Sequence, residues 1–194
     1  MKKIMFNDKY RLTEAVLEGR KTMTRRMVPE RVIIDGKIYA LGKSDPSKSL
    51  REYILYKSPY KVGEIVAISQ SYKQLEDEIE RQGLPLLLKE AKKVCAAYKN
   101  KMYVQAEDMP HHIKINSVKA EFIQDISTAD CLKEGILLDK HSLRTPKIMY
   151  TYIGGRLFEK AQWAFHSLFI KTGCKQAQWD RNEWVYAYEF ELVD

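Results

Sequence analysis

Hydrophobic and polar residues alternate most regularly near the end of the chain. From Trp184 to Leu192, every second position is aromatic or aliphatic, and this period of two predicts a strand. A looser alternation predicts a longer strand over Ile113–Ile126. A short apolar run behind the turn residue Gly63 predicts a buried strand over Glu64–Ser69. Further short strands are predicted at Lys3–Phe6, Lys21–Val28 and Lys101–Ala106.

Apolar residues recur at spacings of three and four in four other segments, which predicts helices. The segment Tyr10–Glu18 ends at Gly19, a residue suited to closing a helix. A short helix is predicted after Ser127, whose hydroxyl can cap it, and it stops at Gly135. The remaining helices are predicted over Arg156–Lys171 and, with a break at Gly83-Leu84-Pro85, over Gln74–Asn100.

Strands mixed with short helices favour an α+β fold around a small β-barrel or a curled sheet. Helix and strand alternate too irregularly for a doubly wound parallel sheet. The 194 residues suffice for one domain with insertions. Val32–Tyr60 is rich in turn residues and predicts a long loop containing a hairpin, and the helical Gln74–Asn100 also resembles an addition to a compact core.

The composition narrows the class of protein. A hydrophobic content of 45% excludes global disorder, and 33 basic against 26 acidic residues give a net charge of +7. This excess favours nucleic acids or anionic small ligands as partners. No apolar run is long enough to span a membrane, and no signal peptide is recognisable, so we expect a cytoplasmic protein with no membrane partner. Three widely spaced cysteines argue against a disulfide framework.

The most informative stretch is Gly19-Arg20-Lys21-Thr22-Met23-Thr24-Arg25-Arg26. In an extended segment, Thr22, Thr24 and Arg26 share one face and offer hydroxyl and guanidinium donors to a phosphate, a carboxylate or a base edge. The alternative interpretation is a solvated basic edge strand, in which charge guards against aggregation.

This stretch, together with the preceding Met5-Phe6-Asn7 and Ala15-Val16-Leu17-Glu18, resembles the start of the ASCH domain family of the PUA-like superfamily. The match is closest to phage and prophage-type members. The resemblance leaves about 32–58 and 74–100 as insertions in a single domain covering 1–194. It continues at Tyr60–Val66, Met109-Pro110, Ile123–Ile136 and Trp179–Phe190.

The resemblance implies a PUA-like pseudo-barrel with a cleft facing the Gly-Arg-Lys-Thr loop, and RNA, nucleoside or nucleotide ligands. One branch of the family is an amidohydrolase that deacetylates acetylcytidine, and its functional residues match Lys21, Thr24 and Glu134. Phage-type members usually carry Arg-Glu-Thr-Trp after the turn strand, whereas this chain has Ser69-Gln70-Ser71-Tyr72.

Amide hydrolysis requires a nucleophile, a proton shuttle and a group that stabilises the oxyanion. A hydroxyl beside a lysine of lowered pKa meets part of this need, and neighbouring arginines should favour the neutral form of Lys21. A carboxylate such as Glu134 could protonate the leaving amine. Lys21 and Thr24 point to opposite faces of a regular strand, so their meeting requires a turn near Gly19.

The patterns, together with what the resemblance implies, leave three possible functions. The first is binding of RNA or a nucleoside-type ligand in a basic cleft lined by Arg20, Lys21, Thr22, Thr24 and Arg26. The second is an amidohydrolase using Lys21, Thr24 and Glu134, and the third is a phage-related interaction module. A closed pocket holding the three catalytic candidates would favour the enzyme, whereas an open basic groove would favour RNA. No metal or other cofactor is expected, because the four histidines lack metal-ligand spacing.

Overall fold

The computed structural model describes residues 1–29, 31–34, 37–40, 48–82, 95–139 and 148–193. Most of the second half of the predicted helical segment Gln74–Asn100 lies outside these ranges, and the break at Gly83-Leu84-Pro85 does too. The fold over the described residues is α+β, as predicted.

The central sheet has five strands, and its order differs from the order along the chain. In spatial order the strands are β1 (Lys2–Ile4), β5 (Ile65–Ile68), β6 (His112–Phe122), β9 (Trp184–Leu192) and β2 (Met23–Met27). Strand β1 pairs with β5 in parallel, and the other neighbours are antiparallel. The sheet therefore has β1 at one edge and β2 at the other.

Two small antiparallel pairs and six α-helices complete the described fold. The pairs are β3 (Arg31–Ile34) with β4 (Lys37–Ala40), and β7 (Leu137–Asp139) with β8 (Met149–Thr151). The helices are α1 (Leu12–Leu17), α2 (Lys48–Tyr56), α3 (Tyr72–Arg81), α4 (Thr128–Lys133), α5 (Ala161–Lys171) and α6 (Gln176–Asp180). Single 3-10 turns occur at Asp8–Tyr10, Ala96–Tyr98, Ala106–Asp108 and Ile123–Asp125.

The core is built on the long pair of β6 and β9. Alternation along β9 predicts one buried face, but its first five residues are all buried because helices and neighbouring segments cover both sides. Ile113 and Ile115 of β6 are fully buried beside it. Helix α5 contributes Phe165 to the same core.

Several predicted elements are confirmed, two predictions are wrong, and one helix was not predicted. Residues Lys101–Ala106 form turns rather than a strand, and the helix predicted from Arg156 begins only at Ala161. The hairpin predicted within Val32–Tyr60 is present as β3 and β4, but the segment also contains α2, which the sequence did not indicate. Ile54 of α2 is fully buried in the main core, so this part of the proposed insertion contributes to the packing.

A closed barrel is not formed by the described strands, because β1 and β2 both remain edges of the central sheet. A side chain nevertheless links the two edges. Arg26 on β2 donates a hydrogen bond from Nη2 to the carbonyl of Met5, which follows β1 directly. The segment after β1 therefore lies close to β2, and the candidate site occupies the space between them.

Candidate functional site

The turn that the sequence analysis required before β2 is present. Helix α1 ends at Leu17, and Gly19 adopts a positive φ of 71°. Only glycine reaches this region without strain, so the chain can reverse here. The amide of Lys21 donates to the carbonyl of Ala15 at 2.8 Å, which fixes Lys21 just before the strand starts at Met23. Because Lys21 lies before the strand, its side chain does not have to follow the alternation of faces along β2.

A second helix end brings Glu134 to the same place. The Ser127 hydroxyl accepts from the amide of Asp130 and caps α4, as predicted. Gly135 ends the helix with a φ of 99°. A Cβ at this glycine would lie 3.4 Å from Leu12 Cδ2 and 3.8 Å from Lys21 Cδ. The bare backbone of Gly135 therefore allows the end of α4 to pack closely against Lys21.

Lys21 and Glu134 form a buried ion pair. Lys21 is 2% exposed and Glu134 is 5% exposed. Lys21 Nζ donates to Glu134 Oε2 at 2.6 Å, to the carbonyl of Met23 at 2.7 Å and to the carbonyl of Glu134 at 2.9 Å. These three acceptors match the three hydrogens of an ammonium group.

Arg25 extends this pair into a network. Its Nη1 lies 3.2 Å from Glu134 Oε1, its Nε donates to Glu121 at 2.8 Å, and its Nη2 donates to Asp130 at 3.0 Å. The Arg25 side chain is fully buried, so the three carboxylates supply the partners that a buried guanidinium needs. Arg25 acts here as the connection between β2, β6 and α4.

Burial and neighbouring charge shift the pKa values in this network in opposite directions. Burial lowers the pKa of Lys21, with Arg26 and Arg25 acting in the same sense and Glu134 opposing them. Burial alone would lower the pKa of Arg25, but the carboxylates of Glu134, Glu121 and Asp130 outweigh it and raise the pKa. Lys21 therefore reaches its neutral form more readily than an exposed lysine does.

A cavity of about 640 Å³ opens beside this network, between the segment after β1 and strand β2. Its size falls within the range of small-molecule sites. Thr24 is 5% exposed and lines the cavity, and its hydroxyl has no hydrogen-bond partner in the described part of the chain. The charged residues of the wall are Lys9, Lys21, Arg25, Arg26, Lys101, Asp8 and Glu134.

The cavity brings together four of the predicted site residues, namely Lys21, Thr24, Arg26 and Glu134. The two others lie elsewhere. Arg20 is paired with Glu18 at 2.5 Å, and neither Arg20 nor Thr22 lines the cavity.

Sequence reasoning missed four charged residues of the wall, Asp8, Lys9, Arg25 and Lys101, and two of these hold the site together. Strand alternation placed Arg25 away from the ligand face, and its role as a hub depends on contacts made across the fold. Lys101 lies in no recognisable sequence motif. It donates to the carbonyl of Phe6, to Asp8 at 2.7 Å and to Thr13 at 3.2 Å, and so holds the segment after β1 in place.

The other titratable clusters do not form a metal site in the described ranges. His111 lies 3.0 Å from Glu78, and His166 stacks against Trp179 with ring centroids 4.3 Å apart. Within the same ranges, none of the helices combines the length and the apolar character needed to cross a bilayer.

Comparison with known proteins gives little further information. No family model matches the chain, and no curated protein matches it. Among solved structures, a crystal structure from Enterococcus faecalis V583, described by the family label DUF984, is similar. The two chains share 14% sequence identity with a TM-score of 0.41, and the match covers 95% of this chain and 68% of the other. The candidate site is therefore interpreted from its own geometry.

Proposed function

We propose that this protein is an amidohydrolase that removes an acyl group from the amine of a nucleoside-type substrate. One observation carries the proposal: the buried Lys21–Glu134 pair, 2.6 Å between Nζ and Oε2, shares a small cavity with the hydroxyl of Thr24. These are the residues that the resemblance to the ASCH family assigns to deacetylation. One cavity of small-molecule size lined by all three residues fits an enzyme better than a long groove for an RNA strand does.

The chemistry assigns a role to each group. Lys21 in its neutral form accepts the proton of the Thr24 hydroxyl, or of a water held by it, and the oxygen attacks the acyl carbon. The carbon–nitrogen bond then breaks, and the leaving amine takes up a proton delivered through Lys21 and Glu134. If Thr24 is the nucleophile, water hydrolyses the resulting ester and regenerates the hydroxyl. The proton can move along the short Lys21–Glu134 hydrogen bond and remain on this pair until the amine leaves.

For Lys21 to act as a base, it must first lose a proton. Glu134 Oε2 is the acceptor closest to Nζ, and burial disfavours the charged form of Lys21. The observed geometry, in which three acceptors surround Nζ, is therefore the resting ammonium state. The reactive state has one of these protons moved to Glu134.

A second function is favoured by the same resting geometry. All three hydrogens of Lys21 are already used by protein acceptors, which suits a structural ion pair as well as a catalytic one. In that case the cavity binds RNA ends, nucleosides or nucleotides without hydrolysis, through Thr24 and Arg26. We further propose that the curled sheet is a PUA-like pseudo-barrel and that the protein acts in the cytoplasm.

Acetate release separates the two functions. Purified protein is incubated with N4-acetylcytidine, and acetate and cytidine are measured together. We expect turnover by the wild type and a loss of several orders of magnitude in Lys21→Met, Thr24→Ala and the double variant, because members of a catalytic unit are not additive. Thr22→Ala is the matched control, since Thr22 lies two residues away and outside the cavity wall.

The outcomes are distinct. Turnover in the wild type and in Thr22→Ala, but not in Thr24→Ala, supports hydrolysis. Absence of acetate release from acetylcytidine and other acylated nucleosides by folded wild-type protein would refute it. Binding of cytidine in that same preparation would leave the binding function in place.

A further inference from the structure

The two consecutive arginines of β2 have opposite environments, although their sequence context is the same. Arg25 is surrounded by three carboxylates. Arg26 lines the cavity and has no carboxylate within ion-pair distance among the described residues, and its Nη2 donates to the carbonyl of Met5. A guanidinium has five N–H donors, and the contact with Met5 uses one of them, so the group can still offer donors to a ligand in the cavity.

The other charges of the wall do not neutralise Arg26. Asp8 is paired with Lys101 at 2.7 Å, and Glu134 is held by Lys21 and Arg25. Lys9, which also lines the cavity, is likewise without a carboxylate partner in the described part of the chain and lies 5.8 Å from the ring of Tyr10. Among the residues that the structure describes, the cavity wall thus carries two cations without a carboxylate partner, Arg26 and Lys9.

An aromatic ring packs against the guanidinium group of Arg26. Its guanidinium carbon lies 5.9 Å from the centroid of Phe6, and Phe6 itself is buried against Phe190. Such a contact orients the planar group while leaving its edge open for bidentate hydrogen bonds. Burial lowers the pKa of Arg26, with Tyr60 and Glu134 opposing, and an anion in the cavity would offset the cost of that burial.

We propose that the cavity recognises a phosphate group, and that the preferred ligand is a nucleotide rather than a nucleoside, with Arg26 as the principal phosphate contact. A phosphate monoester carries a charge of about −1.5 to −2 at neutral pH, which corresponds to the two unpaired cations Arg26 and Lys9. A carboxylate would supply about half of that charge. This inference rests on the proposed nucleoside-type function and narrows its substrate class.

The test compares cytidine with cytidine 5′-monophosphate by isothermal titration calorimetry at pH 7.5 and fixed ionic strength. We expect the wild type to bind the nucleotide roughly tenfold or more tightly than the nucleoside, since a charge-assisted bidentate contact is among the strong hydrogen bonds. In Arg26→Gln, this ratio should fall close to one, because the variant lacks the guanidinium that prefers the monophosphate. Arg20→Gln is the control, because Arg20 belongs to the same motif but is paired with Glu18 outside the cavity.

A second variant and a second ligand test the same inference independently. Arg26→Lys keeps the positive charge but loses the bidentate geometry, so it should retain only part of the preference and serves if Arg26→Gln does not fold. Inorganic phosphate should raise the melting temperature of the wild type more than acetate does at equal ionic strength. Equal stabilisation by the two anions would overturn the choice of phosphate.

The remaining outcomes separate this inference from the proposed function. Equal affinity for cytidine and its monophosphate in the wild type would overturn the phosphate inference and leave the nucleoside function standing. If the ratio of the two dissociation constants is unchanged in Arg26→Gln and Arg26→Lys, the assignment of Arg26 as the phosphate contact is overturned. Absence of binding by either compound, together with absence of acetate release, would overturn the proposed function itself.

Discussion

Breaking the Lys21–Glu134 pair from either side should have unequal consequences. Glu134→Gln keeps the size of the side chain but removes its charge, and it leaves an ammonium group that is 2% exposed without a carboxylate. Removing one partner of a buried pair costs about 3–5 kcal/mol. For a chain of this size, about 2–4 °C of melting temperature is lost per kcal/mol. We therefore expect Glu134→Gln to melt roughly 6–20 °C below the wild type.

Lys21→Met should cost less. The apolar stem is retained, and Glu134 keeps its contact with Arg25 at 3.2 Å, so the remaining carboxylate is still partnered. A lost hydrogen-bonding partner of this kind costs about 1–3 kcal/mol. In the double variant no buried charge is left unpaired by the change, and its stability should recover toward that of Lys21→Met alone.

The assay is urea unfolding of the four proteins, combined as a double-mutant cycle. A matched surface cycle is available in Lys133 and Glu189, an ion pair in which Lys133 is 43% exposed and Glu189 is 33% exposed. We expect a coupling of more than about 1.5 kcal/mol for the buried pair and less than about 1 kcal/mol for the surface pair. Equal coupling in the two cycles would refute the argument that burial gives this pair its strength.

The pH dependence of the same variants follows from the lowered pKa of Lys21. Between that folded-state pKa and the ordinary value of 10.5, the unfolded chain binds more protons than the native protein, so stability rises with pH in this window. The wild type should gain stability toward pH 10.5 relative to Lys21→Met. A gain that is identical in the two proteins would assign the pH dependence to other groups.

Three further predictions concern the surrounding structure. Gly135→Ala should lower the free energy of unfolding by about 1–3 kcal/mol in thermal unfolding, because a side chain is strained at a φ of 99° and its Cβ would lie 3.4 Å from Leu12. An unchanged stability would contradict the tight packing at this glycine. Ile54→Ala should cost about 2–5 kcal/mol, and a loss below 1 kcal/mol would indicate that α2 is a dispensable insertion. In the native protein, iodoacetamide at pH 8 should label the exposed Cys95 much faster than the buried Cys131, whose pKa burial raises to about 12; equal rates by mass spectrometry would contradict this.

Local signals predicted the ends of the elements that build the site. Gly19 and Gly135 were identified as helix-ending residues, and both adopt positive φ. Ser127 was identified as a cap and is one. These features depend on the backbone chemistry of a few consecutive residues, so they are visible in the sequence. The requirement for a turn before β2 was likewise derived from strand geometry alone.

Features that depend on distant contacts could not be predicted in the same way. Nothing near Lys101 indicates that it holds the carbonyl of Phe6, since the two residues lie far apart in the chain. The apolar positions of α2 lie among turn residues, which hid a helix that packs Ile54 into the core. The alternation of Lys101–Ala106 suggested a strand, but the described sheet offers it no partner, and the segment forms turns.

The contrast between Arg25 and Arg26 explains how one short strand can serve both structure and ligand. Both arginines line the cavity, but the guanidinium of Arg25 is held by carboxylates of β6 and α4, whereas Arg26 has no carboxylate partner among the described residues. The paired arginine, together with Lys21, fixes the strand against α4. This anchoring determines where Arg26 and Thr24 lie in the cavity wall. A change at Arg25 should therefore act on the ligand through the position of β2, whereas a change at Arg26 should act on it directly.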